Sequence, residues 1–130
     1  MRGMLASINL RRKEVKSNSS FNTNCHSASF YMAGLIEEDR YIYGEKVNSL
    51  VDVLREKEVA KAGYLVVFEV NDDFGNKELI HSGLIVNEDP LLVCNRRGVD
   101  KKVYDKEPLE DLVRFYEEIT PKFKVRFYEP

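Results

Sequence analysis

Glu78-Leu79-Ile80-His81-Ser82-Gly83-Leu84-Ile85-Val86 runs directly into Asn87-Glu88-Asp89-Pro90 and then into Leu91-Leu92-Val93-Cys94. The first run alternates, so a strand would carry Leu79, His81, Gly83 and Ile85 on one face. The second is a polar turn containing proline and the third an apolar return, which together read as an antiparallel hairpin. His81 is therefore a titratable group on an apolar face. Gly83, two positions on, removes a side chain from that face and lets another backbone or a ligand come close. Pairing 86 with 91 sets residue 96 opposite His81, whereas a one-residue bulge or register shift sets Asn95 there. Asn95 is then either the polar neighbour that fixes the imidazole tautomer or an ordinary strand-end asparagine.

Outward from the hairpin, the pattern is that of an α+β domain with a central antiparallel sheet. Tyr64 to Val70 is almost continuously apolar, as in a strand covered on both faces, and Asn71 to Asn76 make a polar turn before the histidine strand. From Glu45 to about Ala60 the spacing predicts an amphipathic helix ended by Gly63. Its buried stripe is Val47, Leu50, Val51 and Leu54, with Asp52, Arg55, Glu56 and Lys57 toward solvent. Downstream, a strand is expected near Lys101 to Tyr104. Asp105 then caps a last helix with Glu107-Pro108 in its first turn and Leu109, Leu112, Val113 and Tyr116 inward. Pro121 breaks that pattern, and Phe123 to Tyr128 alternate as a closing strand. At 130 residues, 43% apolar and 32% charged, the chain suits one core and one domain, with residues 1–21 as an N-terminal extension.

Near the amino end, Cys25, Ala28, Met32 and Leu35 recur at helical steps and share a face. Asn24 is the expected N-cap, with Thr23 as the alternative. The free N–H groups behind it would lower a thiol pKa and donate to an oxyanion. Cys25 is thus either a nucleophile or a small buried hydrophobe. Lys13 to Asn24 read as a loop leading into it, a connector or a source of further oxyanion donors. Asn18, Asn22 and Asn24 are not ranked by sequence, and Phe21 would line a pocket. Cys94 points opposite to Asn95 and reads as a structural free thiol. Cys25, His26, His81 and Cys94 lack the paired spacings of a zinc site, so no metal is expected.

The helix opened by cysteine, the strand Gly63-Tyr64-Leu65-Val66-Val67-Phe68, the His81-Ser82-Gly83-Leu84-Ile85-Val86 strand and a short strand ending in a polar residue resemble the NlpC/P60 branch of papain-like cysteine hydrolases. The resemblance spans roughly residues 22 to 118. It implies a papain-like fold with Cys25 as nucleophile, His81 as base and Asn95 as the orienting third residue. His26-Ser27 stand where that family has Ser-Gly, and Tyr64 where it has aspartate. The upstream tyrosine is not evident, with Phe21, Asn22 and Asn24 in its region. These departures mark a divergent branch, in which the reaction class is implied more firmly than the substrate.

The expected chemistry is attack of the Cys25 thiolate on an amide or thioester carbonyl, followed by hydrolysis, as in a peptidase or amidase, without a cofactor. An amine acceptor would make the same site an acyltransferase, and an unproductive geometry would make it a binding or regulatory module. Asn22 and Asn24 are candidate oxyanion or substrate contacts, and Arg96, with Arg97, a candidate partner for a substrate carboxylate. The partner expected is a peptide or other amide or acyl substrate. A formal charge of −2 gives no global attraction to nucleic acid or to anionic membranes, and Arg11-Arg12-Lys13 read as a solvated segment. Arg2, Ser7 and Asn9 interrupt the apolar residues of the first ten, so neither a secretory h-region nor a membrane span is expected. A cytoplasmic location follows, or an extracytoplasmic one for a chain trimmed of its signal. Oligomeric state is not legible.

Overall fold

Six strands form one antiparallel sheet and four helices cover it, among the described residues of a computed structural model: 2–98, 100–120 and 122–130. The order along the chain is α1 (Arg2–Ser17), α2 (Cys25–Met32), α3 (Gly44–Asp52), β1 (Arg55–Lys57), β2 (Leu65–Asn71), β3 (Lys77–Glu88), β4 (Leu91–Arg96), β5 (Val103–Pro108), α4 (Leu109–Ile119) and β6 (Lys124–Glu129). Across the sheet the order is β1-β6-β2-β3-β4-β5. Met1 and Pro121, the latter read as the break before the closing strand, lie outside the described residues.

Strand alternation divides the core in two. On one face Leu65, Val67 and Leu84 pack with Phe30, Ala28 and Met32 of α2 and with Val47 and Val51 of α3. On the other, Val66, Phe68, Ile85 and Val93 pack under Leu112 and Tyr116 of α4. β2, buried on both sides, is the apolar middle that the sequence predicts, and its neighbour β3 is buried on both sides as well. Their pairing shifts between Phe68–His81 and Glu69–Leu79, so β3 carries one extra residue at Ile80. That bulge corrects the expected face. His81, Gly83 and Ile85 stay on the α4 side, while Leu79 joins the α3 side.

Four other expectations change. The helix predicted to reach Ala60 stops at Asp52, because β1 pairs with the edge of β6 through Arg55–Glu129, Glu56–Tyr128 and Lys57–Phe127. Gly63, at φ +93°, serves the turn into β2 instead, where its N–H donates to Ile85 O at 2.8 Å. Asp105 does not cap the last helix. β5 continues to Pro108 by pairing with β4, and Asp105 is held by Arg12 and Lys16. α1 occupies much of the expected extension and loop, with Val15 fully buried against α2. Its basic cluster is engaged as well, since Arg11 donates to Tyr31 O and Ile36 O. Among the described residues, no helix is long and apolar enough to cross a membrane.

Candidate active site

Cys25 opens α2 as expected, and Asn24 is its N-cap. The Asn24 side-chain oxygen accepts Ser27 N–H at 2.7 Å, and Ser27 Oγ accepts Asn24 N–H at 2.9 Å, which makes a reciprocal capping box. The β3–β4 ladder begins at Leu84–Cys94 and runs toward the hairpin, without reaching His81 or Ser82. The amino end of α2 comes to that open edge. Backbone N–H groups of Ser82, His26 and Cys25 itself face the sulfur and pull its pKa down. Burial is the larger effect: the thiol is only 7% exposed and its pKa is pushed up to about 11. The resting site therefore holds a neutral thiol, where the helix start alone predicts an acidic one.

His81 is fully buried on the α4 side of β3. Asn95 lies across from Gly83 in the ladder sense, and a Cβ at Gly83 would sit 3.1 Å from Asn95 Cβ and 2.4 Å from Val93 Cγ1. The space a side chain at Gly83 would take is held by Val93 Cγ1 and, beside it, Asn95, whose side chain reaches the imidazole. Asn95 Nδ2 donates to Glu107 Oε1 at 3.1 Å, so Oδ1 is the atom that accepts from His81 Nε2–H at 3.0 Å. Glu107 is in turn paired with Arg97. The proton is held on Nε2, and Nδ1 is left as the basic nitrogen. Tyr116 of α4 donates its hydroxyl to that nitrogen at 2.9 Å. Burial, with a smaller opposing effect from Asn95, lowers the His81 pKa to about 3, so the ring is neutral.

A second histidine lies beside the cysteine. His26 Nε2–H donates to Leu79 O at 2.7 Å, and Nδ1 accepts from Ser82 Oγ at 2.7 Å. Its pKa falls to about 4, chiefly through burial. Both His26 and Asn24 line an open cleft of about 230 Å3, together with Tyr41, Ile42, Asn48 and Leu79. A larger hollow of about 760 Å3 lies elsewhere, between the β3–β4 hairpin and the outer edge of α4.

The structure brings Cys25, His81 and Asn95 to the same end of β3 and β4, and joins His81 to Asn95 directly. It does not hydrogen-bond Cys25 to His81, whose two nitrogens are taken by Asn95 and Tyr116. Asn24 is a cap whose Nδ2 is also spent, on Ile42 O at 2.9 Å, and Asn22 is exposed in the preceding loop. Arg96 is corrected outright. It is 1% exposed and grips Asp39 with two hydrogen bonds of 2.8 and 2.6 Å, so it has no face for a substrate carboxylate. The same guanidinium donates to Asn24 O and Val15 O, tying α1, α2 and β4 together. Arg97 is likewise engaged, between the Tyr104 and Phe115 rings and on Glu107. Both cysteines are free, and no group of His, Cys, Asp and Glu among the described residues is arranged to hold a metal.

Sequence reasoning missed Tyr116, Glu107 and Ser82 as parts of the site. Tyr116 was legible only as one more apolar position on the inner stripe of α4. Glu107 carries no signal, because the sequence pattern places it in the first turn of a helix rather than in β5. Comparison with protein-family models, with curated proteins and with solved structures finds no match to this chain.

Proposed function

We propose that this chain is a cysteine-dependent hydrolase, a peptidase or amidase of divergent papain-like, NlpC/P60-type design, acting on an amide or related acyl bond. Cys25 is the nucleophile, His81 the base and Asn95 the residue that orients it. The observation carrying this reading is the wiring of His81: Asn95, fixed by Glu107, keeps the proton on Nε2 and leaves Nδ1 basic. That is the tautomer a general base needs, and the Glu107 carboxylate behind Asn95 fixes it.

With thiol and imidazole both neutral at rest, attack is coupled to proton transfer. The Cys25 sulfur forms a bond to the carbonyl carbon as its proton passes to His81 Nδ1. The carbonyl electron pair moves onto oxygen, where the N–H groups around the sulfur, those of Cys25, His26 and Ser82, are the available donors. Collapse expels the amine with the proton from Nδ1 and leaves a thioester. Water then attacks the thioester, His81 takes its proton and returns it to the departing thiolate, and the acid leaves. An amine in place of that water gives acyl transfer from the same intermediate.

One observation favours a second reading, a papain-like binding module without catalysis: the thiol is buried with a raised pKa and Nδ1 is occupied. Fluorogenic peptide amides and acyl thioesters, assayed with the parent protein, Cys25→Ala and His81→Ala, separate the two. Turnover that both substitutions abolish supports the hydrolase. Absence of turnover, together with Cys25 labelling by iodoacetamide that ignores His81, leaves the binding module.

A further inference from the structure

We propose that Tyr116 is a plug on the general base, and that its hydroxyl must leave His81 Nδ1 before Cys25 can react. The proposal rests on the catalytic reading of Cys25 and His81 and adds a residue that governs when that pair operates. A neutral imidazole has one basic lone pair, and here it accepts the Tyr116 O–H at 2.9 Å. While that bond stands, the thiol has nowhere to deliver its proton, because Nε2 already carries one and gives it to Asn95.

The phenol is held firmly. Its ring stacks on His81 with centroids 4.4 Å apart and planes 24° from parallel, and meets Phe68 edge-on at 5.5 Å. Tyr116 is 6% exposed and, with Leu112, forms the buried face of α4. Burial raises the Tyr116 pKa, the nearby Cys25 raises it further, and the Gly98 backbone N–H opposes them. The hydroxyl thus sits among the base, the Gly98 backbone and the neighbourhood of the thiol. Packing alone does not account for that position, since phenylalanine would fill the same volume without engaging the base.

The test is Tyr116→Phe, which keeps the stacked ring and deletes the hydroxyl. The rate of iodoacetamide labelling at Cys25 is followed by peptide mass spectrometry between pH 6 and 9 in the parent, Tyr116→Phe, His81→Ala and the double variant, with Cys94 as internal reference. The expected result is Cys25 labelling at least about tenfold faster at pH 7 in Tyr116→Phe, with the gain lost in the double variant. A gain that persists without His81 would mean only better access to the thiol and would overturn the proposal. So would an unchanged or slower rate in Tyr116→Phe. If His81→Ala slows Cys25 in the parent background, the catalytic reading survives that failure; if His81 is irrelevant in both backgrounds, that reading falls too. Ring 15N shifts of His81 in the parent and in Tyr116→Phe give a readout independent of labelling: loss of the hydrogen bond at Nδ1 is expected, and identical shifts would overturn the plug.

Discussion

The two histidines on either side of β3 share a charge state and differ in what their second nitrogen does. Both are buried, neutral and protonated on Nε2, and both give that proton to an oxygen, Leu79 O for His26 and Asn95 Oδ1 for His81. At Nδ1 they part. His26 accepts from Ser82 Oγ, on the strand that also supplies Leu79 O, so both its bonds tie α2 to one strand. His81 accepts from Tyr116 on a different element, and its proton partner is itself steered by Glu107 and Arg97. One ring is a staple between helix and strand. The other is a base whose proton is managed from β4 and β5 and whose lone pair is covered from α4.

The staple side should fail hardest when its ionic support is removed. Arg96 and Asp39 are 1% and 5% exposed at their side chains, and Asp39 also accepts from Ser27 of the capping box. Asp39→Ala leaves a guanidinium buried without its partner, at a cost of about 3–5 kcal/mol. Urea unfolding should report that loss, and Cys25 should become more readily alkylated as the amino end of α2 loosens. A loss below about 1 kcal/mol would mean that water reaches Arg96.

The base side is better broken through Gly83. A methyl group there would meet Val93 Cγ1 at 2.4 Å, so Gly83→Ala should destabilise by about 1–3 kcal/mol through overpacking. It should also lift Asn95 away from His81. Activity on amide or thioester substrates is then expected to fall further than stability, whereas substitutions at the staple should lower both together. Equal losses on the two sides would remove the distinction between staple and base.

How far the sequence reaches follows the same division. Helix starts and strand alternation are local, so Asn24, the Cys25 face and the existence of the β3–β4 hairpin are readable; its register is not, since Leu91 pairs with Glu88 rather than with residue 86 and Asn95 comes beside Gly83, reaching His81 only through its side chain. Edges and bulges depend on partners distant in the chain. The helix from Glu45 gave way to β1 because β6, more than sixty residues later, offers an edge. Asp105 became a strand residue because β4 and α1 claim it. Arg96 looked like a surface arginine at a strand end because its partner Asp39 lies 57 residues upstream in an irregular segment. Tyr116 had the helical spacing of a core residue, and it is one. Its hydroxyl becomes notable only once α4 is laid across His81.

The finest separation of the two histidines lies in acid. Each has a folded pKa below its unfolded value of 6.5, about 4 for His26 and about 3 for His81, with burial the first cause in both. Below pH 6.5 the unfolded chain therefore binds a proton that the folded ring refuses. The stability from keeping each ring neutral is complete above that pH and is lost as pH falls toward the folded value. Each ring contributes a slope of about 1.4 kcal/mol per pH unit inside its window. His26→Gln should flatten the stability curve between about pH 6 and 4 and leave the stretch from 4 to 3 as it was. His81→Gln should flatten the curve down to about pH 3, since burial, only partly offset by the hydrogen bond to Asn95, resists charging of that ring the furthest. Carboxylates titrate in the same range in all three proteins, so the difference between each variant and the parent is the quantity to compare, by urea midpoints at closely spaced pH. Identical difference curves would show that both rings are buried to the same end, and the asymmetry built on Asn95 and Tyr116 would then have no energetic counterpart.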